Sequence, residues 1–146
     1  MKTKNWYEVV DVDELVSPCL LVYPDRIAKN IQTMIQTAGS PSRLRPHIKT
    51  HKIAEIIKMQ LDAGIGAFKC ATIAEAELLG QSGAKEVLLA IQPVGPNIHR
   101  FFELMNTFTD TEFSTIVDNK KTVQTLNHIA NGRKVKVNLW LDINTG

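Results

Sequence analysis

Long apolar runs are missing from this chain. Nothing approaches the ~18 consecutive apolar residues of a membrane-spanning helix. The basic start Met1-Lys2-Thr3-Lys4-Asn5 is followed by no apolar stretch of the signal-peptide kind, so a cytoplasmic protein is expected. Cysteine is scarce: Cys19 and Cys70 both fall in apolar, strand-like runs. That pattern predicts buried free thiols rather than a disulfide, as in a reducing compartment. A surplus of one charge is also lacking. Seventeen Lys and Arg face fifteen Asp and Glu, a net charge of +2 that is too balanced to argue for nucleic-acid binding. There is no glycine-rich dinucleotide fingerprint and no P-loop, because Gly64-Ile65-Gly66 precedes a strand-like segment instead of linking a strand to a helix. No sequence repeat or low-complexity tract appears.

The chain does carry a regular alternation of strand-like and helix-like segments. Residues 19–23 form a short apolar run. Pro24 and Asp25 then open a helix with Ile27, Ile31, Met34, Ile35 and Ala38 on one face and Gly39 as its stop. Residues 43–49 read as a strand, and Ile53, Ile56, Ile57 and Leu61 mark a helix stopped by Gly64. Residues 67–71 are strand-like, and Thr72-Ile73-Ala74-Glu75 has the form of a capping box. Residues 86–91 and 113–117 are further strands. Between them lies a helix opened by Gly95-Pro96, with Ile98, Phe101, Phe102 and Met105 on its face. Asp118 is the expected cap of a helix bearing Val123, Leu126 and Ile129 and ended by Gly132, and residues 134–143 form the last strand. About five β/α units of this kind imply a parallel sheet crossed by helices, either open or closed into a barrel. In the last strand Val135, Val137, Leu139, Leu141 and Ile143 alternate with polar or amphipathic residues. That suits a barrel with helices over its apolar face, or an edge strand. A complete (β/α)8 barrel takes about 250 residues, so the 146 residues read as the first portion of a TIM-type barrel.

The chemistry concentrates in Arg45-Pro46-His47-Ile48-Lys49-Thr50-His51-Lys52. On a strand, Arg45, His47 and Lys49 share one face. With Leu44, Pro46 and Ile48 packed on helices, His47 and Lys49 would point into the barrel near its C-terminal mouth, where such enzymes place catalytic groups. A lysine there can become a nucleophilic amine. The same residues also read as a solvated basic strand end or a phosphate contact. His47 and His51 stand four apart, which suits a metal only on a helix, and Pro46 argues for a strand. His99 and His128 lie on helices without ligand partners. Glu75 and Glu77 read as helix-start acids, and Asp142 and Asn144 fall at a strand end on the Lys49 side.

Four segments together resemble a known family: Ser17-Pro18-Cys19-Leu20-Leu21-Val22, Leu44-Arg45-Pro46-His47-Ile48-Lys49-Thr50-His51-Lys52, Cys70-Ala71-Thr72-Ile73-Ala74-Glu75-Ala76-Glu77 and Gln92-Pro93-Val94-Gly95. The chain is similar to the D-threonine aldolase / D-serine dehydratase family, whose barrel is of the alanine-racemase N-terminal type found in fold-type III pyridoxal-phosphate enzymes. The resemblance implies that Lys49 carries pyridoxal phosphate as a Schiff base, with His47 beside it and Thr72 and Gln92 at strand ends near the cofactor. It implies a lyase acting on a β-hydroxy D-amino acid, by retro-aldol cleavage to glycine and an aldehyde or by β-elimination. A non-catalytic pyridoxal-phosphate carrier on the same barrel is the alternative. It further implies a homodimer. The rest of the barrel and a C-terminal β domain holding a divalent metal are expected outside these residues, which would leave the segment inactive alone.

Overall fold

The computed structural model describes residues 5–146; residues 1–4, most of the basic start, lie outside it. Among these residues five α-helices and four strands form. They are α1 (Pro24–Ala38), α2 (Ala54–Asp62), β1 (Ala67–Cys70), α3 (Ile73–Gln81), β2 (Glu86–Leu89), α4 (Pro96–Thr107), β3 (Glu112–Ile116), α5 (Lys120–Arg133) and β4 (Asn138–Trp140), and strand and helix alternate from α2 onward. The sheet is parallel throughout, in the order β1-β2-β3-β4. Each new strand adds on the same side of the one before it. A doubly wound sheet reverses direction at a switch point; this one does not, which is the winding of a TIM-type barrel.

Register sorts the side chains into two layers. Phe68, Val87 and Phe113 lie level on adjacent strands and are almost wholly buried. They form the core with Ile48, Ile57, Ile65, Leu79 and Phe101 beneath the helices. Lys69, Leu88, Ser114 and Asn138 lie level on the opposite face. A second cluster of Ile98, Phe102, Val117, Leu126 and Ala130 seats α5. Helices α3 and α4 approach closely at Gly80, where a Cβ would stand 2.6 Å from the Phe108 ring.

Several boundaries differ from the sequence expectation. Residues 19–23 form no strand: no ladder partner reaches them among the described residues, and Leu20 and Leu21 stay exposed. Cys19 is therefore exposed as well, while Cys70 is buried, and both are free thiols. Residues 43–49 reduce to a single parallel bridge between His47 and Lys69. Pro46 has no N–H to donate and contributes only its carbonyl, which accepts from Lys69 N at 2.9 Å. The chain then coils into a one-turn 3-10 helix, Ile48–Thr50. Asn119, not Asp118, caps α5, its side chain accepting from Thr122 N. Gly132 lies inside that helix, and Lys134, at φ 56°, takes the left-handed position at its end. The last strand shortens to three residues, all exposed.

Candidate active site

Lys49 sits in the Ile48–Thr50 turn, two residues past the His47–Lys69 bridge and so on the C-terminal side of the sheet. Ile48 anchors the turn from below, fully buried in the core. Two imidazoles bracket it in the same way. His47 Nδ1 accepts from Lys49 N at 3.2 Å, and His51 Nδ1 accepts from Ile53 N at 3.1 Å. Each histidine thus closes the backbone two residues ahead, as an Asx side chain would. An accepting Nδ1 must be unprotonated, so a neutral imidazole carries its proton on Nε2. The Lys49 side chain is exposed, and its Nζ makes no ion pair or hydrogen bond among the described residues.

The far end of the turn is clipped to α3. Lys52 adopts φ 54°, its N–H donates to Ile48 O at 2.8 Å, and its Nζ lies 3.7 Å from Glu75 Oε1. The Glu75 side chain is buried at the start of α3, where its Oε2 accepts from Ala71 N at 2.8 Å. Thr72 Oγ1 accepts from Glu75 N at 3.1 Å. The expected capping box therefore forms, shifted by one residue on the acid's side. Sequence reasoning found Glu75 as a cap. Its second contact, with the Lys52 ammonium, depends on Lys52 arriving from another segment.

Gln92 stands past the end of β2. Its Oε1 accepts from Asp118 N at 3.1 Å and lies 3.4 Å from Asn119 Nδ2, so the carboxamide links the ends of β2 and β3. Thr72 and Gln92 line a cavity of about 330 Å³ together with Ala71, Ile73, Ile91 and Arg100. His47 and Lys49 do not line it. The four expected site residues thus form two neighbouring pairs at one end of the sheet. Asp142 and Asn144 are exposed beyond β4, and among the described residues no group of three or more His, Cys, Asp or Glu side chains could hold a metal.

Burial, and then the neighbouring Lys49 ammonium, hold the His47 pKa below the usual imidazole value; Glu75 opposes them, and Lys69 adds the smallest push downward. Burial likewise lowers His51, whose Nε2 has no partner among the described residues. Lys69 was missed by sequence reasoning. The signal available was a single charge inside the otherwise apolar Ala67-Phe68-Lys69-Cys70.

Residues 22–146 match the family described as alanine racemase, N-terminal domain. The chain belongs to this family. The chain is 26% identical over 132 residues to D-threo-3-hydroxyaspartate dehydratase of Delftia sp. (strain HT23), covering 90% of this chain and 34% of that protein. It is 28% identical over 141 residues to 3-hydroxy-D-aspartate aldolase of Paracoccus denitrificans, covering 94% and 36%. The crystal structure of D-threonine aldolase from Filomicrobium marinum superposes with a TM-score of 0.79 at 27% identity, over 90% of this chain and 35% of that one. The chain spans about a third of the length of these relatives.

Proposed function

We propose that this chain supplies the lysine-bearing part of a pyridoxal-phosphate-dependent lyase acting on β-hydroxy D-amino acids. The observation that carries the reading is Lys49, a free amine presented at the C-terminal edge of a singly wound parallel sheet by a turn closed at both ends. Names among the relatives add the reaction class, since one is an aldolase and another a dehydratase of 3-hydroxyaspartate. The donor set fits the cofactor's aldehyde: an unpaired primary amine stands beside an imidazole held towards its neutral form. When bound, pyridoxal phosphate supplies an electron sink for bond cleavage at the substrate's α-carbon.

In this reading Lys49 is the residue that would hold the cofactor through its aldehyde. His47 fixes the backbone from which Lys49 springs, and its Nε2–H is left to donate into the site. Thr72 and Gln92 belong to the rim. The free Gln92 amide N–H2 and the cavity beside it would face cofactor or substrate oxygens. The remainder of the barrel, a metal-bearing C-terminal domain and a second subunit belong to the same proposal.

Borohydride reduction after addition of pyridoxal phosphate, followed by peptide mass mapping, tests the reading. The adduct is expected on Lys49. Lys49→Ala should abolish covalent uptake entirely while leaving the circular dichroism spectrum unchanged, because an exposed side chain contributes little packing. Undiminished uptake in that variant would overturn the assignment.

A further inference from the structure

We infer that Lys69 is a positioning residue for Lys49, acting through His47: its charge keeps Nδ1 of His47 free to accept from the Lys49 amide, and so keeps the turn closed. The inference rests on the site reading above and adds a residue to it. Lys69 and His47 are bridge partners on parallel segments, with Lys69 N donating to Pro46 O at 2.9 Å. Neighbouring side chains of one register row lie close together on one face of the sheet. Lys69 is partly buried on the face that the helices do not cover.

Its charge has no partner there among the described residues. Of the two acids on that face, Glu86 is held by Arg45 at 2.6 Å and Glu112 accepts from Asn138 Nδ2 at 2.6 Å. Glu75, the acid nearest the turn, is engaged by the Ala71 amide and lies 3.7 Å from Lys52. Beyond burial, the charges acting on His47 are, from strongest to weakest, Lys49 from its own segment, Glu75 from α3 and Lys69 from β1. Lys49 outweighs the one acid, which is already shared with other donors, and Lys69 adds a smaller push in the same direction. Protonating His47 would put a third positive charge between the lysines. It would also turn Nδ1 from acceptor to donor, opposing the Lys49 N–H and opening the turn that aims the amine.

The test is a 15N-histidine NMR titration of the full chain, with hydrogen exchange of the Lys49 amide read alongside. Lys69→Met should raise the His47 midpoint and lose Lys49 amide protection at a correspondingly higher pH. Lys69→Arg, which keeps the charge, should restore both. A folded Lys69→Met chain with an unmoved midpoint would overturn the inference, as would Lys69→Arg behaving like Lys69→Met. Should the substitutions fail to fold, the wild-type chain serves: added salt should raise the midpoint by screening the like charges, and a salt-independent midpoint would count against the role. The adduct on Lys49 is read separately. A normal adduct with an unmoved midpoint leaves the proposed function standing and removes Lys69 from it; a moved midpoint without an adduct does the reverse.

Discussion

Two short runs in this molecule make an instructive pair. Residues 19–22, Cys-Leu-Leu-Val, are wholly apolar, whereas residues 67–70, Ala-Phe-Lys-Cys, carry a charge. Yet the first is exposed and irregular, with Leu20 74% accessible, and the second is a strand with Phe68 at 0%. Apolar composition does not distinguish them. Residues 67–70 have β2 on one side, the Pro46–His47 segment on the other and α3 across one face. Residues 19–22 have no such neighbours among the described residues. A strand is a relation between segments, and burial follows from the ladder and the covering helices.

The contrast can be broken most sharply at its two apolar anchors. Phe68→Ala should cost about 3–5 kcal/mol, since it empties the centre of the core. Leu20→Ala should stay within about 0.5 kcal/mol, since Leu20 touches little. Denaturant melts of the two variants check both values, and comparable losses would mean that residues 19–22 are packed in solution. The next largest effect is expected at Glu75. Glu75→Ala strips the Ala71 amide of its acceptor and the Lys52 ammonium of its partner. A loss of about 2 kcal/mol is expected, with Lys49 amide exchange accelerated more than that of β2; a uniform acceleration would deny Glu75 its part in clipping the turn.

The cysteines extend the comparison without mutation. Burial pushes the Cys70 thiol up to about 12, so at pH 8 only about one molecule in 10⁴ would carry its thiolate, and the side chain is enclosed besides. Cys19 is exposed. A thiol reagent should therefore label one site quickly, identified as Cys19 by peptide mapping, and the second only on denaturation. Equal labelling rates in the native protein would contradict the packing of β1.

The smallest effect is expected from pH. The His47 pKa is held below its unfolded value of 6.5, so the unfolded chain binds more protons as pH falls. Its contribution is fully present above pH 6.5 and is lost as pH falls through the lower folded value. Stability should decline between pH 7 and pH 5, and His47→Gln should flatten that slope. An unchanged slope in the variant would place the acid sensitivity elsewhere.

What the sequence determined by itself is the part set by local chemistry. Helix starts and stops were legible at Pro24, Gly39, Gly64, Thr72 and Pro96 because a cap, a fixed φ or a left-handed turn acts within a few residues. The β/α alternation, the α/β class and the prominence of Lys49 followed from patterns of the same short range, together with the family resemblance. Tertiary structure alone decided which apolar runs became strands, that Pro46 would cut a strand to one bridge and that the lysine would ride on a turn. It also decided that Lys69 would lie beside His47 and that Glu75 would reach Lys52 as well as the Ala71 amide. Each of these depends on register between segments far apart in the chain, and register is fixed only when the sheet and its helices pack together.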